Sequence, residues 1–401
     1  MATIKAQTLK GFRDFEPERV RKRQYVISRL RSVFESYGFE PLETPALEYE
    51  EVLLGKYGDE GDKLMYRFED NGKRRVALRY DQTVPLARFI AQNYQTITFP
   101  FKRYQIQPVW RAENTQKGRY REFLQCDVDT VGTGSETADA EILALVTDCY
   151  KALGFRKSKI VLNDRSLFGN VPSPAVLILD KLKKIGEDKV KQELKAKGFD
   201  EAILDQIKAK KAPAELQNVI SLAEKLGVDK NSLVFEPALA RGLDYYTGII
   251  FEVEAEGYNG GALGGGGRYD NLIGSFAGKP IPAVGFAFGF DRIIEAMEEQ
   301  KLFPEELNQS ATQVLVTVFP DYEKQSIELV SNLRRAGINT EFYLEEVKLD
   351  KQLKYADRKK IPYVAVIGPE EAKQNVVTIK TLKTGEQEKL SQEQLINKLS
   401  S

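Results

Sequence analysis

The segment from Gln107 to Asp129 places arginine, glutamine, tyrosine and acidic residues where an ordinary buried segment would be apolar. Arginine forms forked hydrogen bonds with phosphate, and this segment carries Arg111, Arg119 and Arg121, with Glu113 placed to orient them. The pattern predicts a site that holds a polyanion beside a small polar ligand. A charged, solvated surface hairpin is the plain structural alternative that these residues alone leave open.

Length and composition limit the kinds of protein that this chain can be. A chain of 401 residues predicts two or three compact units. Acidic and basic residues balance at 59 each, so nucleic-acid binding would depend on local patches. The absence of histidine excludes imidazole as general base, nucleophile or metal ligand. Cys126 and Cys149 fit neither a metal site nor a disulfide framework, and no apolar signal or membrane-spanning run is present, so we expect a soluble, cytoplasmic protein.

Apolar periodicity predicts the regular elements of the first half of the chain. Helices are expected at Glu18–Tyr37, Pro85–Asn93 and Glu136–Leu153, and strands at Val76–Leu78, Phe99–Trp110 and Lys159–Leu162. From about Leu167 to Lys230 the chain becomes lysine-rich and helical, with breaks at Gly186, Gly198 and Pro213.

A polar linker at residues 307–312 precedes a second pattern, in which strands and helices alternate. Strands are predicted at Val314–Val318, Ile338–Tyr343, Tyr363–Ile367 and Val376–Ile379, and helices at Tyr322–Ala336 and Leu349–Lys360. The basic residues of this unit are Lys348, Lys351, Lys354, Arg358, Lys359 and Lys360. They form either a phosphate-binding surface or a solvated helix face.

The glycine run Gly264–Gly267 follows an apolar strand predicted at Ile249–Val253. Four consecutive glycines followed by Arg268 and Tyr269 do not match a dinucleotide fingerprint, which needs spaced glycines before a helix. We therefore expect the backbone here to approach a ligand closely, next to the strand.

Six segments in order resemble histidyl-tRNA synthetases, a family of class II aminoacyl-tRNA synthetases. They are KGFRDFEP at 10–17, GFEPLETP at 38–45 (motif 1), LRYDQT at 78–83, the arginine-rich segment at 107–129 (motif 2), RGLDYYTG at 241–248 with GGGGRYD at 264–270, and GFAFGFDRI at 285–293 (motif 3). The resemblance covers essentially the whole chain.

The resemblance implies a fold class and a division into domains. It implies an α+β class II catalytic core, an antiparallel sheet flanked by helices, formed by residues 1–166 and 231–306. Residues 167–230 would be a helical insertion, either a clamp over the acceptor arm of tRNA or a set of solvated helices. Residues 313–401 would be a C-terminal α/β anticodon-binding domain, and a homodimer is implied, with Pro45 of motif 1 near its centre.

The resemblance also implies the chemistry. Histidine and ATP would give histidyl-adenylate and pyrophosphate, and the histidyl group would pass to tRNA(His). Mg²⁺ is expected with ATP, although no metal ligands are assigned. The catalytic residues would be Arg111, Arg241 and Arg292; the ATP-binding residues would be Arg111, Glu113, Arg119 and Arg292; and the histidine-binding residues would be Asp81, Thr83, Arg111, Gln125, Asp129, Arg241, Tyr245, Tyr246 and Tyr269.

Several alternatives stay open at this point. Arg241 could be a structural ion-pair partner of Asp244, and one of Tyr245 and Tyr246 could be a core aromatic if both lie on a strand, because neighbouring strand residues face opposite sides. At the level of the whole chain, the alternative is the synthetase-like regulatory subunit of ATP phosphoribosyltransferase. A threonyl enzyme is disfavoured by RGLDYYTG and by the lack of histidine ligands for a metal, and a scaffold protein would carry extra domains.

Overall fold

The computed structural model describes residues 4–115, 119–241 and 245–400, and it divides into two compact units. One comprises the described residues of 1–15 and 23–302, and the other those of 16–22 and 303–401. Among the described residues, no helix is both long enough and apolar enough to cross a bilayer.

All the elements predicted up to residue 302 are present, but the strands at Glu122–Val131 and Ala283–Phe288 and the helix at Phe290–Glu299, among others, were not predicted. The following elements make up this part of the chain. In chain order they are α1 (Pro17–Ser36), β1 (Glu40–Pro41), β2 (Leu47–Tyr49), α2 (Glu50–Leu53), α3 (Gly58–Lys63), β3 (Arg67–Glu69), β4 (Arg75–Leu78), α4 (Thr83–Asn93), β5 (Phe101–Trp110), β6 (Glu122–Val131), α5 (Glu136–Ala152), β7 (Ser158–Asp164), α6 (Ser173–Leu179), α7 (Leu182–Ile185), α8 (Glu187–Ala196), α9 (Ile203–Lys208), α10 (Ala214–Lys225), β8 (Leu233–Phe235), β9 (Ile249–Ala255), β10 (Gly264–Arg268), α11 (Gly274–Ala277), β11 (Ala283–Phe288) and α12 (Phe290–Glu299).

A large mixed sheet is the centre of this unit. Its eight strands have the order β1-β5-β6-β11-β10-β9-β7-β8. The pairs from β5 to β7 are antiparallel, whereas the edge strands β1 and β8 pair in parallel with β5 and β7. This arrangement confirms the predicted fold class, an antiparallel core flanked by helices.

The helices on this sheet form where apolar residues recur at helical spacing. Helix α1 buries Val26, Leu30 and Phe34, and the chain turns after it at Gly38, whose φ is +76°. Helix α5 begins at Ser135, whose side chain accepts a hydrogen bond from the amide of Thr137. Both helices were predicted within two residues of their observed bounds.

Strand β10 consists of four glycines and Arg268, and it lies between β9 and β11 near the middle of the sheet. The glycines do lie next to the predicted strand, β9, but that they form a strand themselves was not predicted. On one face, Gly266 pairs with Phe251 and Phe286, whose rings stack 5.6 Å apart. A Cβ on Gly266 would lie 2.0 Å from the carbonyl oxygen of Gly285, so only glycine fits this strand pair.

The lysine-rich segment between β7 and β8 is helical, as its composition predicts. Its helices α6 to α10 bury a small number of apolar side chains, and α10 begins directly after Pro213. Gly186 and Gly198 have φ values of +80°, which explains the breaks at these positions.

The second unit has its own sheet and its own core. Its elements are β12 (Val314–Val316), α13 (Glu323–Arg335), β13 (Thr340–Phe342), α14 (Leu349–Arg358), β14 (Tyr363–Val366), α15 (Pro369–Gln374), β15 (Val377–Thr381), β16 (Gln387–Leu390) and α16 (Gln392–Ser400). The five strands have the order β13-β12-β14-β15-β16. All the elements predicted here are present, while α15, β16 and α16 were not foreseen because they are short or largely exposed.

Candidate active site

A cavity of about 560 Å³ lies on one face of the large sheet. Strand register brings together residues from distant parts of the chain on this face. One row runs from Glu252 through Gly265 and Ala287 to Asp127, and the next contains Gly267, Gly285 and Asp129. Because residues directly opposite each other share a face of the sheet, these rows form the floor of the cavity.

Every residue that the sequence analysis assigned to ATP or histidine binding lines this cavity. These residues are Asp81, Thr83, Arg111, Glu113, Arg119, Gln125, Asp129, Arg241, Tyr245, Tyr246, Tyr269 and Arg292. Their roles stay predictions, since lining a cavity does not identify the ligand.

Arg241 lies directly over the glycine strand. A Cβ on Gly265 would fall 1.7 Å from its Nη1 atom, so the missing side chain of Gly265 makes room for the guanidinium group. Nη1 also donates to Oε1 of Glu252 at 3.0 Å. Burial lowers the pKa of Arg241, but nearby Tyr246 and Glu252 oppose this and the net pKa is raised, so the group is cationic. Asp244, the alternative ion-pair partner, lies outside the described residues.

The other predicted ATP-site residues also line the cavity. Arg111 donates from Nε to the carbonyl oxygen of Tyr80 at 3.1 Å, and its guanidinium carbon lies 4.4 Å from the centre of the Tyr80 ring. Glu113 and Arg119 form an ion pair of 3.4 Å. Arg292, at the start of α12, donates to the carbonyl oxygen of Ala262 at 2.9 Å. Together with Arg241, four arginines therefore line one cavity, a suitable environment for phosphate groups.

Asp129 is the most firmly held carboxylate of the site. It is 3% exposed, accepts a hydrogen bond from the hydroxyl of Tyr269 on Oδ1, and forms an ion pair of 2.7 Å between Oδ2 and Arg103. Burial raises the pKa of Asp129, whereas Arg103 and Tyr269 oppose this change. Arg103, which is fully buried, was not predicted as part of the site.

Asp81 and the paired tyrosines form another wall of the cavity. Oδ1 of Asp81 accepts hydrogen bonds from the hydroxyl of Tyr57 at 2.8 Å and from the amide of Val84 at 3.1 Å. Burial raises the pKa of Tyr245, and the neighbouring Thr83 opposes this change. Tyr245 and Tyr246 lie before β9 in irregular backbone, so the premise that they alternate on a strand was wrong, and both face the cavity.

Four acidic residues that line the cavity were missed: Asp127, Asp180, Glu252 and Asp291. Glu252 interrupts the apolar strand β9, and this charge was a usable signal. Asp180 directly follows α6 in the helical segment, and nothing in its sequence surroundings marks it. Asp127 stands two residues before Asp129 on the same face of β6, so strand alternation could have identified it.

The cavity thus combines several cations with buried carboxylates and tyrosines. Such an arrangement can neutralise phosphates and hold a small polar ligand. Within the part of the chain that the structure describes, no group of three acidic or cysteine side chains is placed to hold a metal ion.

Comparisons with known proteins agree with this arrangement. The family model described as histidyl-tRNA synthetase matches residues 11–201 and 170–293, and the model described as anticodon binding domain matches residues 313–401. The histidine–tRNA ligase of Cytophaga hutchinsonii is 41% identical over 97% of this chain and 98% of its own, and that of Porphyromonas gingivalis is 39% identical over 95% and 96%.

Solved structures give the same result. The histidyl-tRNA synthetase from Nostoc sp. PCC 7120 superposes with a TM-score of 0.84 and is 32% identical, with 99% of each chain covered. A Bacillus halodurans protein described as an ATP phosphoribosyltransferase regulatory subunit/histidyl-tRNA synthetase shares the fold at 21% identity, with a TM-score of 0.72. The resemblance seen in the motifs is confirmed: the chain belongs to the histidyl-tRNA synthetase family.

Proposed function

We propose that this chain is a histidine–tRNA ligase, which activates histidine with ATP and transfers it to the 3′-terminal adenosine of tRNA(His). The observation that carries the proposal is the cavity itself. It unites four arginines with carboxylates and tyrosines, in a chain related along nearly its whole length to histidine–tRNA ligases.

The arginines supply what adenylate formation needs. A carboxylate oxygen of histidine attacks the α-phosphorus, the bond to the bridging oxygen breaks, and pyrophosphate leaves with the electron pair. The attacking carboxylate is already ionised, so no general base is required, and the enzyme's task is to position the reactants and neutralise charge. In our assignment, Arg111 and Arg241 contact the α-phosphate, Arg292 contacts the γ-phosphate, and Glu113 lies at the adenine.

Mg²⁺ enters this scheme as part of the substrate, the complex of Mg²⁺ with ATP. Such ions keep most of their ligands from phosphates and water and need few from the protein. This is compatible with the lack of a three-carboxylate cluster among the described residues.

Selection of histidine is assigned to the wall around Asp129. Neutral imidazole carries one hydrogen-bond donor and one acceptor. Asp129, fixed by Tyr269 and Arg103, offers a rigid acceptor for the ring N–H, while Tyr246 and Tyr269 bound the ring, and Asp81, Thr83 and Gln125 hold the amino and carboxylate groups. Polar sites of this kind can reject apolar analogues by roughly 10⁴ to 10⁵.

We assign tRNA binding to two regions. The anticodon-binding domain presents exposed Lys348, Lys351, Lys354 and Arg358 along and just before α14. The helical insertion at residues 167–230 is assigned to the acceptor arm, and it also contributes Asp180 to the cavity.

We also propose that the chain works as a cytoplasmic homodimer. Tyr49 and Phe68 pair with Val76 from either side in the three-stranded sheet β2-β4-β3, and they are 53% and 43% exposed. Leu47, on the same strand as Tyr49, is 43% exposed, and Pro45 is exposed as well. An apolar row at the surface next to motif 1 is a suitable dimer contact. Sedimentation equilibrium would test it, and a monomer at micromolar concentration would refute it.

ATP–pyrophosphate exchange with each of the twenty amino acids tests the proposed function. We expect exchange with histidine alone, followed by charging of tRNA(His) in the presence of the tRNA. Histidine binding without any exchange would instead indicate the regulatory subunit of ATP phosphoribosyltransferase.

A further inference from the structure

The carboxylate of Asp127 lines the active-site cavity with one oxygen unused. Oδ2 accepts a hydrogen bond from Nε2 of Gln125 at 2.9 Å, whereas Oδ1 has no hydrogen-bond partner among the described residues. The side chain is only 3% exposed, so bulk water does not solvate it freely. A buried carboxylate oxygen without a partner is costly unless a ligand supplies a donor.

Its neighbours are already engaged. Asp81 accepts from Tyr57 and Val84, and Asp129 is held by Tyr269 and Arg103. Asp127 thus differs from both other buried aspartates of the cavity in lacking a cationic, hydroxyl or backbone donor in these contacts.

The charge balance points to a cation as the missing partner. Burial raises the pKa of Asp127 well above its usual range; Arg103 opposes this, and Asp129 and Asp81 add to it. Arg103 contacts Asp129 directly, so this cation is already paired. A positive group on the ligand would let Asp127 ionise in the bound state.

Strand register places Asp127 between the two ends of the proposed substrate site. It shares a row with Ala287 and Gly265, over which Arg241 lies. At about 4.8 Å between neighbouring strands, Asp127 is roughly 10 Å from the position of Gly265. Asp129, at the ring end, is two residues further along the same strand. The part of histidine between its ring and its activated carboxylate is the α-carbon, which carries the α-ammonium group.

We propose that Asp127 binds the α-ammonium group of the histidine substrate through Oδ1. The inference rests on the proposed function and adds a residue that the motifs did not identify. At neutral pH the α-ammonium group is the main cation of free histidine, because the imidazole, with a pKa near 6.5, is mostly neutral. Its three N–H donors suit a site that combines Asp127 with Asp81.

Ligands that differ by one group test the assignment. Dissociation constants would be measured for Asp127→Asn and the unaltered enzyme with three probes: L-histidine, histidinol, which keeps the ammonium group but lacks the carboxylate, and imidazolepropionate, which lacks the ammonium group. We expect the substitution to raise the dissociation constants of histidine and histidinol by about tenfold to a hundredfold, the range for hydrogen bonds to charged groups. The dissociation constant of imidazolepropionate should change by no more than about twofold.

Asp127→Glu is the rescue variant, since it keeps the charge and should restore part of the preference for histidinol over imidazolepropionate. Asp148→Asn, at a half-buried carboxylate of α5 that contacts Tyr37 and Lys151 away from the cavity, controls for the loss of a negative charge. If thermal unfolding shows that Asp127→Asn is not folded, Asp127→Ser allows the same comparison.

Two results would overturn the inference. Equal weakening of all three ligands would show that Asp127 shapes the pocket or contacts the ring, and unchanged binding of histidine and histidinol would show that it contacts neither. Both results are separable from a failure of the proposed function, in which the unaltered enzyme itself would show no exchange with histidine.

Discussion

Replacing Gly265 with alanine should displace Arg241 while leaving the sheet intact. The new Cβ would lie 1.7 Å from Nη1 and 2.6 Å from Cζ of Arg241. Carbon and nitrogen atoms normally approach to about 3.5 Å, so the guanidinium group must retreat by nearly 2 Å. The obstructing atoms are the far end of a flexible side chain, so the displacement costs little folding energy, but it moves the charge away from its pairing position with Glu252.

The consequence for catalysis is large. A misplacement of about 1 Å can cost about 10² in rate, and loss of one donor at a charged transition state costs about 10² to 10³. We therefore expect the rate of histidine-dependent ATP–pyrophosphate exchange to fall by about 10² to 10³, equivalent to about 3 to 4 kcal/mol in the activation free energy. The melting temperature should change by only a few degrees.

Three further variants isolate the cause. Gly134→Ala is the matched control, because its Cβ would meet only Cγ of Pro282 at 3.9 Å, and it should leave the exchange rate unchanged. In Gly266→Ala the new Cβ would point to the opposite face of the sheet and collide with backbone atoms, so this substitution should destabilise the fold. If Gly265 acts through Arg241, the double variant with Arg241→Ala should be no slower than Arg241→Ala alone. Normal exchange in Gly265→Ala would refute this reasoning.

Three other predictions concern charged side chains: Arg241 itself, two lysines of α14, and Asp139. Arg241→Ala should lower the exchange rate far more than histidine affinity, and a normal rate would refute its assignment to the transition state. Joint replacement of Lys351 and Lys354 by alanine should weaken tRNA binding and reduce its salt dependence by about one unit of slope per lost phosphate contact, with no change in pyrophosphate exchange. Burial raises the pKa of Asp139 to about 6, with Arg268 opposing. Because this folded-state pKa lies above the unfolded value, the contribution to stability is present below about pH 4 and is lost as pH rises to 6, so the free energy of unfolding should fall by at most about 3 kcal/mol across that window relative to Asp139→Asn. Parallel pH profiles of the two proteins in chemical denaturation would contradict the sign.

The elements that could be predicted from sequence are those whose pattern is local. The spacing of Val26, Leu30 and Phe34 marks α1, and the alternating pattern after residue 312 marks the second unit. Motif order was enough to name the residues around the cavity, because each motif carries its own chemistry in a few consecutive positions.

The position of Asp127 relative to Arg241 depends on register between strands that are far apart in sequence. No local pattern says that Asp127 faces Ala287 and, beyond it, the glycine on which Arg241 rests. Glycine also has a low intrinsic preference for strands, so β10 is stable only because its neighbours pair with it on both sides. The ion pair between Arg103 and Asp129 has the same origin, since β5 and β6 set the two residues opposite each other.

The glycine strand and the absence of histidine follow the same chemical logic. A reaction that needs no proton abstraction can do without imidazole, but it needs cations held at fixed positions close to the reacting phosphate. Bringing Arg241 flat against the sheet requires a floor without side chains, and Gly265 supplies it. Gly285 does the same for Asp129, because a Cβ there would lie 1.9 Å from Oδ1. Gly265 and Gly285 are therefore as much a part of the site as the charged side chains that rest on them. Alanine at position 265 should impair activity rather than folding, whereas alanine at position 285 would also meet the backbone carbonyl oxygen of Val128 at 2.8 Å and should impair both.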